Sequence, residues 1–411
     1  MIGAVALACV LLYQGPTAVQ YVKAMEAARD RKDYAAMERI CAEAVRGGCR
    51  IEYIVRSWSW SLCRLGRTDE GLVVALRNYE WNPCVWSALN CLEAAADDGQ
   101  FATARKAART LLADRASWGE LAGAVQAAVA RVSSKTYRLV WEVPVTRLRA
   151  GESLWLPKPL DTWNQKRVAW SATGVVDLQE RTDRYGNTFA VAKARGGEPV
   201  RVSTEVKLTP FSARELLARR GAADSGAPGP SFLGASKSPI PTSTIDPDAP
   251  EVLAVTGTFG GATGIRAIEA TMDWVNSELK YCPPGSPPGA DNPSEVIRRK
   301  GGHCEALTSV EVALLRACKV PARMIRGQSA VSPGSHLSTQ HTILQFQVPG
   351  LGWVDWDHSL PRWRSRDNFV RLWVYDAIAE PGDVDRLADF FGRAFQARKG
   401  YQHTLIDTSL D

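Results

Sequence analysis

The chain has 411 residues, 45% of them hydrophobic and 23% charged, an ordinary globular composition too long for one compact core and suited to two or three domains. The net charge of +6 is mild, and Lys and Arg alternate with Asp and Glu instead of forming basic blocks, which argues against nucleic-acid binding. The nine cysteines include no Cys-x-x-Cys pair and no Cys/His rhythm of a zinc site, so neither a structural metal nor a cofactor is expected.

Residues 1–16 begin "MIGAVALACVLLYQG". This apolar run is too short to span a bilayer and lacks the basic start of a good signal peptide. It reads as a secretory segment, a poor lipoprotein signal ending at Cys9, or a first buried helix. Export to the periplasm or cell envelope is the favoured expectation, a cytoplasmic location is the alternative, and no further membrane span is expected.

Residues 17–132 read as helix throughout. "RKDYAAM" (31–37), "GRTDEGL" (66–72) and "DGQFATA" (98–104) recur 35 and then 32 residues apart, close to the helix-turn-helix period of tetratricopeptide-type repeats. One amphipathic pair cannot bury its own apolar stripe, so three pairs would stack and offer a surface to a protein partner. An irregular helical bundle is the alternative.

At Thr136 the period changes from 3.6 to 2. Tyr137, Leu139, Trp141, Val143 and Val145 alternate with polar residues, and with the turn signal Gly186-Asn187 they predict an antiparallel β-sandwich over 136–210. Residues 211–249, rich in Gly, Pro and Ser, read as a linker. Residues 250–395 predict an α+β domain and 396–411 a C-terminal tail. In that domain Ile265, Ile268, Met272, Val275 and Leu279 form a helical stripe, a second helix runs from about Glu305 to Cys318, and strands follow through "HTILQFQVPG" and "GWVDWDHS".

Most of the cysteines lie at apolar positions of helices and read as small buried hydrophobes. Cys304 differs: it follows Gly301-Gly302 and opens a helix striped by Ala306, Leu307, Val310, Ala313, Leu314 and Ala317. Helix-start N–H groups and the macrodipole favour a thiolate there, and the thiolate is the nucleophilic form. The Cys304 N–H could also donate to a developing oxyanion. A thiol nucleophile needs a base, and the histidines are His303, His336, His341, His358 and His403. His303 points away on the helix start, while His341 opens a strand stiff enough to aim its ring.

An imidazole base wants a carboxylate on its other nitrogen. Asp355 and Asp357 share a face of the next strand. A four-residue turn Pro349–Gly352 would leave His341 on the opposite face, so an odd loop or a bulge at Gly350 or Gly352 is required, and a bulge is predicted.

The set "GGHCEALTSVEVALLRACKVPARMIRG", "HTILQFQVPGLGWVDWDHS" and "DWVNSELKY" resembles the core of the transglutaminase-like superfamily over residues 262–360. The resemblance implies a papain-like triad of Cys304, His341 and Asp357, with Tyr281 a candidate oxyanion or cleft residue and Asp355 the alternative orienting carboxylate. "LPKPLDTWNQ" is similar to the β domain that precedes this core in many bacterial members. Lys319 stands where a glycine is usual, and Ile343 where a tryptophan is frequent, which would alter the substrate cleft. The implied activity is acyl transfer from an amide of a protein or peptide. Hydrolysis, as in a cysteine protease or amidase, is favoured over amine capture, as in a transglutaminase, because capture needs a water-excluding tunnel. A catalytically silent scaffold of the same fold is the third reading.

Overall fold

The computed structural model describes residues 15–162, 164–183, 187–211, 245–282, 292–329, 340–348, 352–358, 369–375, 389–391, 393–394 and 401–410. Nearly all of the apolar N-terminal run with Cys9, most of the linker, Gly186 and His336 lie outside them. The chain divides into two compact units, Met1–Ser133 with Ser409–Asp411, and Ser134–Thr408.

The first unit is helical. Helices α1 (Gly15–Asp30) and α2 (Tyr34–Arg46), α3 (Glu52–Arg64) and α4 (Thr68–Trp81), and α5 (Val85–Asp97) and α6 (Phe101–Ala113) follow as three pairs, and α7 (Ala122–Val132) closes the series. The three recurrent segments make the turns inside the pairs. Lys32, Gly66 and Gly99 adopt φ of 57°, 79° and 75°. In each turn the next N–H, of Asp33, Arg67 or Gln100, donates to the carbonyl of Ala28, Leu62 or Ala95 at 3.0, 2.9 and 2.8 Å. This closes orphan carbonyls at each helix end, and glycine enters the left-handed region with least strain. Alanines such as Ala75, Ala95, Ala104 and Ala108 are fully buried between helices, which allows close helix approach.

The second unit begins with six strands: β1 (Ser134–Val143), β2 (Ser153–Pro157), β3 (Gln165–Thr173), β4 (Val175–Thr182), β5 (Thr188–Ala194) and β6 (Val200–Leu208). They form two sheets, one of order β2-β5-β4 and one in which β6 lies between β1 and β3. Tyr137, Leu139, Trp141 and Val143 are buried as their alternation predicts, while Val145 leaves the strand in a 3₁₀ turn and is exposed. The expected tail is corrected in part: Tyr401–Ser409 form strand β13, which joins the β1 edge.

Four helices follow, α8 (Pro250–Gly257), α9 (Gly264–Glu278), α10 (Pro293–Arg299) and α11 (Cys304–Ala317), with the short parallel strands β7 (Lys280–Tyr281) and β8 (Gly301–Gly302). Ile265, read as part of the α9 stripe, is exposed. Every residue of α11 from Ala306 to Leu315 is buried, so it is a central helix. It contacts the sheet of order β11-β10-β9-β12, built from β9 (Ala322–Ser329), β10 (Gln340–Val348), β11 (Gly352–Trp356) and β12 (Phe369–Tyr375). Lys319, just past α11, has φ of 64°, the left-handed geometry that a glycine would adopt with less strain.

The β region and this sheet are joined by backbone recognition. Gln165, at the end of "LPKPLDTWNQ", donates to the Arg371 carbonyl at 2.9 Å and accepts from the Arg371 N–H at 2.9 Å. Asn187, expected as a turn residue, is buried and brackets Val374 with two 2.6 Å bonds.

Candidate active site

Strand register sets the geometry. Val348 pairs with Gly352, and the ladder runs unbroken to Leu344 against Trp356. Three residues, 349–351, connect the strands, so the odd count sits in the loop and no bulge occurs at Gly352; Gly350 lies outside the described residues. Gln345 is opposite Asp355, and with the pleat period of two His341, Asp355 and Asp357 fall on one face.

His341 Nε2 lies 2.9 Å from Asp357 Oδ2, with the His341 side chain 14% exposed and Asp357 2%. The ring also interacts with the Cys304 thiol, each shifting the titration of the other, and stands edge-on to buried Phe369, with 6.0 Å between centroids. Cys304 is the first residue of α11, with His303 at the N-cap, so first-turn N–H groups that lack intrahelical partners surround it. Cys304, His341 and Asp357 are thus brought together.

Burial opposes charge on both reactive groups, and their partners overcome it. Burial raises the Cys304 thiol, but the hydrogen bond and charge of His341, the Thr342 N–H and the charge of Arg326 together hold it below the usual thiol range. Burial pulls His341 down, but hydrogen bonds and charges from Asp357 and Cys304 push it up to about 9. The pair therefore favours a thiolate facing an imidazolium. The thiols of Cys41, Cys63 and Cys91 go the other way: burial first, with nearby carboxylates, pushes them up to about 12. The eight described cysteines are all free.

Asp355 is neither an exposed strand carboxylate nor next to His341. It is 5% exposed, ion-paired to the equally buried Arg371 through Nε and Nη2, and it accepts from Gln345 Nε2 at 2.7 Å. The arginine has taken the carboxylate that sequence left as the alternative. We expect Asp355→Ala to destabilise the fold by roughly 3–5 kcal/mol, because it leaves a guanidinium buried without its counter-charge. Urea unfolding measures this, and an unchanged midpoint would show the pair to be dispensable.

Tyr281 ends β7, pairs with Gly302 and is 54% exposed. Burial and then the Cys304 charge raise its phenol, so the hydroxyl stays protonated near the thiol. Ile343 is buried with Ile325, Phe369 and Val374.

Sequence reasoning missed a second acid–imidazole pair. Glu311, on α11, and His358, next to Asp357, are buried with His358 Nδ1 3.7 Å from Glu311 Oε1, an ion-pair separation beyond hydrogen-bond length. Burial first raises the Glu311 carboxyl, while burial pulls His358 down and the nearby Glu311 charge lifts it above its usual value. A carboxylate seven residues after Cys304, inside the apolar run "SVEVALL", was the available signal. Among the described residues no three His, Cys, Asp or Glu side chains could hold a metal ion.

The family profile of the transglutaminase-like superfamily matches residues 253–358. No curated protein matches the chain. Solved structures similar to it include a candidate cysteine protease from Cytophaga hutchinsonii, 15% identical, covering 67% of this chain and 88% of that one with a TM-score of 0.42. Another is the periplasmic domain of TgpA from Pseudomonas aeruginosa, 15% identical, covering 57% of this chain and 90% of that one with a TM-score of 0.28. With Cys304, His341 and both aspartates inside the matched stretch, residues 253–358 are a transglutaminase-like domain.

Proposed function

We propose that the protein performs thiol-dependent acyl transfer on amide bonds of a protein or peptide, with hydrolysis as the outcome, through Cys304, His341 and Asp357. The observation that carries this reading is the 2.9 Å His341–Asp357 contact on a ring whose charge also acts on Cys304. The Cys304 thiolate attacks the carbonyl carbon, and the resulting oxyanion takes hydrogen bonds from the Cys304 N–H and the Tyr281 hydroxyl. The C–N bond then breaks, and the His341 imidazolium gives its proton to the leaving amine. Neutral His341 next accepts a proton from water as the water oxygen attacks the thioester, and the acid leaves as the thiolate re-forms. Asp357 holds the imidazole tautomer and offsets the imidazolium charge.

The helix pairs read best as a short tetratricopeptide-like stack and the two β sheets as a sandwich, supported by the three equivalent turns and by the alternation in β1. A protein partner on the stack is part of the same proposal. Among the described residues no helix is long and apolar enough to cross a membrane.

Labelling with an acyl electrophile, followed by mapping of the modified residue, tests the assignment. Label on a cysteine other than Cys304 would overturn it. At about pH 6–7 iodoacetamide should modify Cys304 far faster than the other thiols. Activity should fall as pH rises through about 9, where His341 loses the proton it owes the leaving amine. A pH–rate profile with no alkaline limb there would remove His341 from that step.

A further inference from the structure

The residues that follow the nucleophile and the base converge on one polar hub that the triad does not use. Glu305 follows Cys304, and Thr342 follows His341. Arg326, on β9, is the cross-strand partner of Thr342 and is ion-paired to Glu305. Arg326 Nη2 donates to the Tyr375 hydroxyl at 3.2 Å, and its guanidinium sits 5.4 Å from the centre of that ring. Tyr375 in turn donates to Glu305 Oε1 at 2.7 Å, so Thr342 Oγ1, 2.9 Å away, is placed to donate to the tyrosine oxygen. One arginine therefore ties the first turn of α11 to β10 and β12, with only 23% of its side chain exposed.

We propose that Arg326 is a positioning residue for the nucleophile: anchored by Glu305 and Tyr375, it keeps a permanent positive charge beside Cys304 and holds Cys304 and His341 in register. This rests on Cys304 being the nucleophile. The groups that act on that thiol are His341 and the Thr342 N–H on β10, Arg326 on β9 and Tyr281 on β7, with Glu305 next to it on its own helix. His341 and Arg326 bear the positive charges among them. A guanidinium keeps its charge at every working pH, whereas His341 loses its proton as pH rises through about 9. The thiolate of the free enzyme would thus keep one cation beside it when the imidazole turns neutral at alkaline pH.

The test is the pH dependence of iodoacetamide alkylation of Cys304 in the full-length protein, read by mass spectrometry, for the wild type, Arg326→Gln, Arg326→Lys and the double variant Arg326→Gln/Glu305→Gln. Arg326→Gln should slow alkylation at about pH 6 by roughly three- to tenfold and move the midpoint upward, as loss of a nearby opposite charge requires. Arg326→Lys should fall between wild type and Arg326→Gln, since a charge remains but the fork that reaches Glu305 and Tyr375 is lost. The double variant leaves no buried charge unpaired, so it carries the test even if the single Gln variant fails to fold; it should keep a raised midpoint. A double variant with the wild-type midpoint would mean that Arg326 merely neutralises Glu305, and the proposal would fail. A low wild-type midpoint that no Arg326 variant moves sinks this inference alone. An ordinary wild-type midpoint near about 8.5 sinks the proposed function and this inference with it.

Discussion

Replacing Cys304 with alanine is expected to reduce turnover of any amide substrate by roughly 10⁴-fold or more while the protein stays folded and soluble. The first half follows from chemistry: no other described thiol lies against His341, and those at Cys41, Cys63 and Cys91 are held protonated. The second half follows from place. Cys304 is the first residue of α11 and only half-buried, whereas Ala306 to Leu315 are enclosed on all sides. Alanine at a helix start costs about 1 kcal/mol or less. Purified variant, assayed for activity and for its unfolding midpoint, separates the two effects. Loss of soluble protein would assign Cys304 a packing role instead of a chemical one.

The same helix shows where sequence stops being informative. Its start, its length and its stripe were legible, because Gly301-Gly302, the apolar period and the residues before Pro321 are local signals. The required parity of the loop after β10 was legible too, since His341 and Asp357 must share a face whatever the turn does. How the chain meets that parity was not: a three-residue loop and a bulge do the same geometrical work, and nothing local chooses between them. Long-range polar pairs were invisible for a related reason. Asp355 and Arg371 are 16 residues apart, and Arg326 and Tyr375 are 49 apart; no period links them, so Asp355 reads as an alternative partner for His341 until β12 is placed. Strand β13 was missed because its partner β1 lies more than 250 residues earlier in the chain.

Asp357→Asn is expected to lower kcat/KM by roughly 10²- to 10³-fold, less than His341→Ala but still severe. The amide can keep the ring near its place, but it does so through its carbonyl oxygen or in the wrong tautomer, and it brings no charge. Asp357 is the largest of the influences that push His341 up to about 9, so without it the imidazole loses its proton at lower pH. The alkaline limb of activity should therefore move down from about 9. The Cys304 thiolate, less supported by a weaker imidazolium, should appear at higher pH, so the active window narrows from both sides. The effect on stability has the same sign. A histidine whose folded value lies above its unfolded 6.5 contributes stability that is present below that value and lost as pH rises through about 9. The Asn variant should lose part of that contribution, seen as a smaller fall in unfolding midpoint over this range for a Cys304→Ala/Asp357→Asn pair than for Cys304→Ala alone, where His341 stands without the thiolate. A rate close to wild type for Asp357→Asn would mean that another group orients His341. Asp355 is held by Arg371 and Gln345, so the first suspect would be His358, whose ring centre lies 6.3 Å from that of His341 and whose partner Glu311 is carried by the nucleophile helix itself.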